Sequence, residues 1–189
     1  MLFKENMNFS AADCVQLQFI EQEFENCTFN NCDLSNTDFS YAGFIDCTFS
    51  NCNLSLIKLN NTTFRDVQFT GCKMLGLIFN DCSKFGLAFG FDNCTLNHSS
   101  FYKTKIKNTV FKHTQLQETD FTDCDVAGGI FADCDLLNTK FENTVLEKAD
   151  LRTAYNYSID PELNKIKQAK FSLHGIAGLL DKYNIIVEQ

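Results

Sequence analysis

The chain has 189 residues, a formal net charge of −8, ten cysteines and no tryptophan. No apolar run reaches the ~20 residues that a membrane-spanning helix needs, and the N-terminus lacks the apolar segment of a secretory signal, so we expect a cytoplasmic protein with reduced thiols. Phenylalanine occurs 20 times. Ordinary globular composition does not produce this bias, which indicates a repetitive sequence.

Acidic residues are concentrated in two stretches of the chain. Residues 5–57 contain eight Asp or Glu and residues 113–139 contain six, and neither stretch contains Lys or Arg. Such stretches disfavour direct binding to nucleic acid or to an anionic membrane, so we expect a protein partner. The carboxylates that form the candidate partner surface are Glu21, Glu23, Glu25, Asp33, Asp38, Asp46, Glu118, Asp120, Asp123, Asp125, Asp133 and Asp135.

Large apolar residues recur at every fifth position, from Phe19 to Phe79 and again from Leu96 to Leu151. A small or short residue usually lies two positions before each of them. A period of five fits neither an α-helix nor a simple strand, so each unit must contain its own turn.

Sorting the large residues by steps of twenty separates phenylalanine from leucine. One series reads Phe29, Phe49, Phe69, Phe89, Phe111 and Phe131, and the next reads Leu34, Leu54, Met74, Leu96, Leu116 and Leu136. Four units therefore make one coil, and about seven coils stack with these residues pointing inward.

One coil departs from the pattern. The step from Phe89 to Leu96 is seven residues, so we expect two extra residues near 90–93 to bulge outward. Lys84 occupies an inward position and must turn outward, since an unpaired buried ammonium is too costly. Two interpretations follow: Phe85 fills the vacated place, or Phe85 and Phe91 are exposed anchors for a partner.

The cysteines mostly occupy the small inward positions, and one column contains Cys32, Cys52, Cys72, Cys94 and Cys134. Coils stacked at ~4.8 Å hold their Cβ atoms farther apart than the ~3.8 Å that a disulfide prefers, so free buried thiols are expected. The alternative, a zinc site, needs four ligands converging on one point, whereas these residues form a line. We therefore expect no metal and no cofactor.

The end of a solenoid needs a cap, and residues 172–189 are expected to supply one after a repeat domain at 1–171. Ser172 can cap the N-terminus of an α-helix, and Ile185 to Val187 reads as a short strand. The apolar residues assigned to this cap are Ile176, Leu179, Leu180, Tyr183, Ile185 and Val187. They either cover the last coil or pair two chains about a two-fold axis, and we favour the homodimer.

No motif indicates catalysis. The three histidines have no Cys or Asp at the spacing of a nucleophile relay, and no glycine-rich phosphate loop is present. A filled solenoid also offers no concave pocket for a substrate, so we expect a protein that is not an enzyme.

The five-residue units resemble the A(D/N)LXX consensus of the pentapeptide-repeat family. Clear examples begin at Cys32, Thr37, Thr119 and Ala149, and the resemblance covers at least residues 17–153. It implies an all-β fold, a right-handed quadrilateral parallel β-helix with a C-terminal capping α-helix.

The tail from Ala169 to Ile185 resembles the C-terminal helix of the Qnr and MfpA branch of that family. This resemblance implies binding to DNA gyrase and topoisomerase IV as a mimic of duplex DNA, with modulation of quinolone sensitivity. Eight carboxylates over ~13 Å of rod give one per ~1.6 Å, against one per ~1.7 Å in duplex DNA. The projecting loops of that branch are reduced here to a two-residue insertion.

The alternative is a scaffold or adaptor that binds another protein. Its candidate contacts are Phe85, Phe91 and the basic residues Lys103, Lys105, Lys107 and Lys112.

Overall fold

The computed structural model describes residues 3–186, and these wind into a parallel β-solenoid with four faces. Each face receives one five-residue unit per turn, so a segment pairs with the segment one turn later, twenty residues on along most of the chain. The pairing is parallel throughout, which confirms the coil predicted from the sequence period.

Two of the four faces contain assigned strands. The first face holds β1 (Phe3–Glu5), β3 (Glu23–Glu25), β5 (Gly43–Ile45) and β7 (Thr63–Arg65). The second face holds β2 (Asn8–Phe9), β4 (Thr28–Asn30), β6 (Thr48–Ser50), β8 (Val67–Thr70), β9 (Phe89–Asp92), β10 (Val110–Lys112) and β11 (Ile130–Ala132). Seven stacked strands correspond to six successive turns, and single bridges extend this face to Lys170.

The third and fourth faces are built from single β-bridges. Asp33 pairs with Asn53 on the third face, and Asp38 pairs with Lys58 on the fourth. Between faces the chain turns through a residue with positive φ, for example 49° at Asn26 and 55° at Asn31. Asn, Asp and Gly tolerate this left-handed conformation best, which explains why they recur at the corners.

The interior is a set of columns of like side chains. On the second face the rings of Phe9, Phe29, Phe49, Phe69, Phe91, Phe111 and Phe131 are stacked in order. Their centroids are 4.5 Å apart at the closest pair, Phe29 and Phe49, and 5.3 Å apart between Phe69 and Phe91. Offset-stacked and edge-to-face aromatic pairs contribute a stabilising free energy beyond that of burying their surface. These columns therefore hold the coils in register.

The small inward residues satisfy their polar atoms within the core. The Thr62 hydroxyl donates to the Phe39 carbonyl at 2.8 Å, and the Thr144 hydroxyl donates to the Phe121 carbonyl at 2.7 Å. In each case the acceptor lies in the preceding turn. The hydroxyl therefore links two coils without leaving a buried polar group unpaired.

The two extra residues of the irregular coil lie within 84–87, and the predicted bulge at 90–93 is wrong. Ser83 still follows the twenty-residue register, because its N–H donates to the Thr62 carbonyl at 2.9 Å. From β9 onward the offset is twenty-two, since Phe91 pairs with Phe69. Residues 90–93 continue the second face without interruption.

Phe91 belongs to the core, so its predicted role as an exposed anchor is wrong. Its side chain is 2% exposed, and its ring lies 5.3 Å from Phe69 and 5.2 Å from Phe111. Assigning Phe89 to this column was wrong for the same reason. Phe91 stacks on both Phe69 and Phe111. If its ring lay outside the column, a gap would remain between these two rings.

Phe89 occupies a position that usually holds a small residue. It pairs with Val67 and its ring lies 6.4 Å from that of Phe64 and 5.3 Å from that of Phe79. It therefore fills part of the space left by the outward turn of Lys84, which is exposed as expected. Phe85 does not fill that space, because it is 80% exposed.

The first coil contains a helix that the sequence analysis missed. Helix α1 (Ala11–Cys14) replaces one unit of the first coil, and Ser10 and Asp13 form a capping box at its start. Phe9 and Cys14 precede Phe19 at the same five-residue spacing, so the repeat begins before residue 17.

The C-terminal cap is not the predicted α-helix. It consists of two short 3₁₀ helices, Ile176–Leu179 and Asp181–Tyr183, and residues 185–186 form no strand. Gly178 packs so closely on Tyr157 that a Cβ there would lie 2.2 Å from the Tyr157 carbonyl oxygen. This contact fixes the path of the tail against the last coil, and glycine also weakens an α-helix.

Residues of the predicted cap also contact the last coil. The Ile159 N–H donates to the Gly178 carbonyl at 2.9 Å, and Leu179 packs against the core. Val187 lies outside the described residues. Within residues 3–186, every helix is too short or too polar to cross a bilayer.

The register predicts a sharp contrast between two phenylalanines six positions apart. Phe91→Ala should lower the free energy of unfolding by ~3 to 5 kcal/mol because it leaves a cavity in a stacked column. Phe85→Ala should change it by less than ~0.5 kcal/mol because the side chain is exposed. Urea denaturation followed by circular dichroism measures both values, and similar losses in the two variants would contradict the register.

Candidate partner-binding surface

The aspartates that precede an inward residue have a structural role. Asp38 accepts the Ser40 N–H at 2.9 Å, Asp120 accepts the Thr122 N–H at 2.8 Å, and Asp125 accepts the Ala127 N–H at 3.3 Å. Asp33 and Asp135 bond in the same way to the residues two positions on. These carboxylates fix the turn that follows them, which explains the Asp or Asn of each unit.

The same hydrogen bonds favour the ionised carboxylates. Donation from Ser35 holds the pKa of Asp33 below its usual range, and donation from Ser40 does the same for Asp38. These side chains are therefore charged at neutral pH, yet part of each is committed to its own backbone.

A second group of carboxylates lies at the corners. Glu21, Asp46, Glu118, Asp123 and Asp133 all have positive φ and are exposed. The backbone conformation favours Asp there, but it does not require a charge, since Asn occupies many other corners. Of the acidic residues, these corner carboxylates contribute least to holding the backbone in place.

The acidic residues do not form one continuous ridge. Along the fourth face Asp38 pairs with Lys58 and Asp120 pairs with Lys140, so a cation follows each carboxylate one turn later. Along the third face Asp135 lies between Gln115 and Tyr155. The negative charge is therefore spread over several faces and interrupted along each of them.

Several carboxylates also have a cation or a histidine close by. Asp38 lies 3.6 Å from Lys58, Asp125 lies 3.2 Å from Lys107, and Glu118 lies 3.2 Å from His98. These exposed contacts contribute little to stability, but the two lysines lower the local negative potential.

Glu23 and Glu25 belong to β3, and both are half-buried. They point outward from the first face, on either side of buried Phe24. The charge of this face changes along the rod, because its later turns contain Arg65, Lys105 and Lys107.

Sequence reasoning missed the surroundings of the loop at residues 84–87. Gly86 has a φ of 70° and lies over the Arg65 side chain, and Leu87 turns back toward the core. The available signal was Gly86, two residues after the misplaced Lys84, since glycine in a break of the repeat is typical of a turn.

The C-terminal segment presents a cluster of exposed apolar side chains. Leu173 is 83% exposed and Ile186 is 88% exposed, and Ile176, Tyr183 and Ile185 are also exposed. Lys182 anchors the segment by ion pairs with Asp160 and Glu162, at 2.7 and 2.6 Å. The cap is thus held by polar contacts while much of its apolar surface faces outward.

All ten cysteines are buried and free. Burial raises the pKa of Cys47, Cys124 and Cys134 to about 12 in each case. Because the thiolate is the reactive form, these thiols are chemically inert in the folded protein. Among residues 3–186 no three His, Cys, Asp or Glu side chains are grouped closely enough to hold a metal ion.

Comparison with known proteins gives two kinds of match. The family model named pentapeptide repeat region matches residues 22–90 and 78–151. A trypsin-treated variant of QnrB1, a plasmid-mediated fluoroquinolone resistance protein, superposes with a TM-score of 0.65 at 16% identity, covering 100% of this chain and 99% of that chain.

A second trypsin-treated QnrB1 variant gives a TM-score of 0.52 at 20% identity, covering 99% of this chain and 98% of that chain. A search of curated protein sequences gives no match. At these identities the structural likeness shows a shared fold.

The buried thiols predict that the fold weakens at alkaline pH. A thiol whose pKa is raised by folding stabilises the native state fully below its unfolded pKa, near 9, and this contribution is lost as pH rises toward the folded pKa of about 12. Between these two pKa values, each such thiol should lower the free energy of unfolding by a further ~1.4 kcal/mol per pH unit.

Cys124→Thr isolates this effect, because Thr104 and Thr144 occupy the equivalent positions in the adjacent turns. Urea midpoints measured from pH 8 upward should fall less steeply for this variant than for the unmodified protein. Parallel curves above about pH 9.5 would show that Cys124 ionises equally in both states.

Proposed function

Because the chain belongs to the pentapeptide-repeat family, we propose that it is a non-enzymatic solenoid that binds a type II topoisomerase in place of duplex DNA. The observation that carries this proposal is the set of exposed corner carboxylates on a narrow rod whose core is closely packed. A rigid support matters because a mimic must present charge at fixed positions before its partner arrives.

The fold shared with QnrB1, a fluoroquinolone resistance protein, supports a role in quinolone sensitivity. The charge also supports a protein partner over direct contact with nucleic acid or an anionic membrane, since the net charge is −8. The proposal places the protein in the cytoplasm.

The charge pattern sets limits on how such a complex forms. Lysines follow Asp38 and Asp120 one turn later, so no single face offers an uninterrupted acidic track. The corner carboxylates Asp46, Asp123 and Asp133 are therefore the groups expected to replace DNA phosphates. Contacts of this type are screened by salt.

A second candidate function is an adaptor that binds another protein through Phe85. This side chain is 80% exposed in the loop that contains the two extra residues, and the adjacent Gly86 lies over the Arg65 side chain. Exposed aromatic side chains are common anchors at protein interfaces.

The topoisomerase proposal predicts that micromolar protein inhibits gyrase supercoiling or protects it from a quinolone, and that added salt abolishes the effect. Asp46→Asn/Asp123→Asn/Asp133→Asn should remove most of the effect while preserving the fold, because Asn occupies neighbouring corners. Asn26→Gly/Asn143→Gly is the matched control, since it alters two corners without changing charge. Supercoiling that is unaffected with and without quinolone would end this proposal.

Phe85→Ala separates the two candidate functions. A topoisomerase mimic should keep its effect on supercoiling in this variant. An adaptor should have no effect on supercoiling in either form.

The exposed C-terminal cluster predicts a homodimer formed through residues 173–186. Light scattering after size exclusion should give about twice the chain mass of 21.5 kDa. Ile176→Glu/Ile185→Glu should give monomers, whereas Leu56→Glu should not, although Leu56 is also exposed at 59%. A monomeric unmodified protein would mean that the cluster only covers the last coil.

A further inference from the structure

The irregular coil creates a pocket on the first face. Lys84, which the repeat period places inward between Phe64 and Ile106, turns outward, and Leu87 and Phe89 fill only part of the gap that it leaves. A pocket of about 160 Å³ lies beside this gap, lined by Phe79, Cys82 and Leu87 together with Lys84, Lys103 and Lys105. It is a consequence of the two-residue shift in register.

The hydrogen bonding of Thr104 shows how the shift opens the space. In regular turns of this face the threonine hydroxyl donates to the preceding turn, as from Thr62 to the Phe39 carbonyl. Thr104 instead donates to the Phe101 carbonyl in its own turn, at 2.7 Å. Thr104 also lines the pocket, so the usual side-chain hydrogen bond to the preceding turn is absent at this wall, and the Thr104 hydroxyl lies 3.4 Å from Cys124 Sγ of the following turn.

The rim of the pocket is cationic. Among residues 3–186 the ammonium groups of Lys84, Lys103 and Lys105 have no carboxylate within ion-pair distance, whereas Lys107 has Asp125 at 3.2 Å. Lys103 instead lies over the Tyr102 ring, 4.7 Å from its centroid. Three cations at one pocket repel each other, and an anion bound among them would relieve that repulsion.

The floor of the pocket is apolar. Phe79 is 1% exposed and Cys82 is 5% exposed, and Leu87 is partly buried against the core. A cavity of about 150 Å³ with apolar walls is large enough to bind benzene. The pocket is therefore of the size that accepts a single aromatic ring or a short alkyl chain.

We propose that this pocket binds a small anion with an apolar body, of the class of aromatic carboxylates. The apolar part would lie against Phe79, Cys82 and Leu87, and the carboxylate would lie among Lys84, Lys103 and Lys105. This site is independent of the proposed topoisomerase function, because it uses neither the corner carboxylates nor the C-terminal cluster.

The experiment uses benzoate as the probe, with uncharged benzamide as its matched analogue. Titration of the full-length, ¹⁵N-labelled protein should shift the amide signals of residues 79–87 and 103–106 in a saturable manner. Benzoate should bind at least about tenfold more tightly than benzamide, since the charge contacts are lost in the amide. Shifts that do not saturate, or equal affinities for the two probes, would overturn the proposal.

Lys84→Gln/Lys105→Gln tests the rim. This variant should weaken benzoate binding by about tenfold and leave benzamide binding unchanged. Lys148→Gln/Lys167→Gln is the control for net charge, because both lysines are exposed in later turns. Unchanged benzoate binding in the first variant, or equal weakening in the control, would also overturn the proposal. Thermal unfolding of each variant confirms that the solenoid is intact.

Discussion

The structure depends on the stacking of like side chains from one turn to the next. A coil of four units has no core of its own, so each inward residue must find a partner of similar size above and below it. The phenylalanine column of the second face meets this condition at every step, with centroids no more than 5.3 Å apart. The width of the rod, the register of its strands and the positions of its surface groups all follow from this requirement.

The same requirement explains which parts of the fold could be predicted from the sequence. The five-residue spacing and the separation of Phe from Leu specify four faces and a twenty-residue turn, because both are properties of the stack as a whole. The position of the insertion could not be predicted in this way. The five-residue period does not decide whether Phe85, Phe89 or Phe91 belongs to the phenylalanine column. Only the ring contacts of Phe91 with Phe69 and Phe111 identify it as the member of the column.

The ends were predicted less well, since local patterns compete there with contacts to the last coil. The tail has the apolar spacing of an α-helix, yet Gly178 must approach the Tyr157 backbone, and the chain adopts 3₁₀ turns instead. At the other end, a four-residue helix replaces a unit whose sequence still keeps the repeat spacing. At the C-terminus tertiary contact overrides the local preference, whereas the N-terminal helix has a local capping box formed by Ser10 and Asp13.

The surface shows how structure and function share the acidic residues. Asp33, Asp38, Asp120, Asp125 and Asp135 accept hydrogen bonds from the turns that follow them, so their presence alone does not indicate a partner. The corner carboxylates differ, because the backbone there is set by its positive φ, which Asn and Gly adopt at other corners, and not by a hydrogen bond to the carboxylate. Negative charge at a corner is therefore the part of the acidic surface that the fold leaves free to vary.

The irregular coil shows that the shape of the surface, like its charge, can depart from the regular repeat. A regular stack is filled at every level, so it can offer a partner only its outer surface. The two-residue shift breaks that rule at one level, where it exposes Phe85, turns Lys84 outward and leaves a space beside Cys82. Phe89 and Phe91 restore the stack immediately afterward, so the interruption stays local. A solenoid can thus acquire a concave site without losing its continuous core, provided that the residues after the insertion return to the columns.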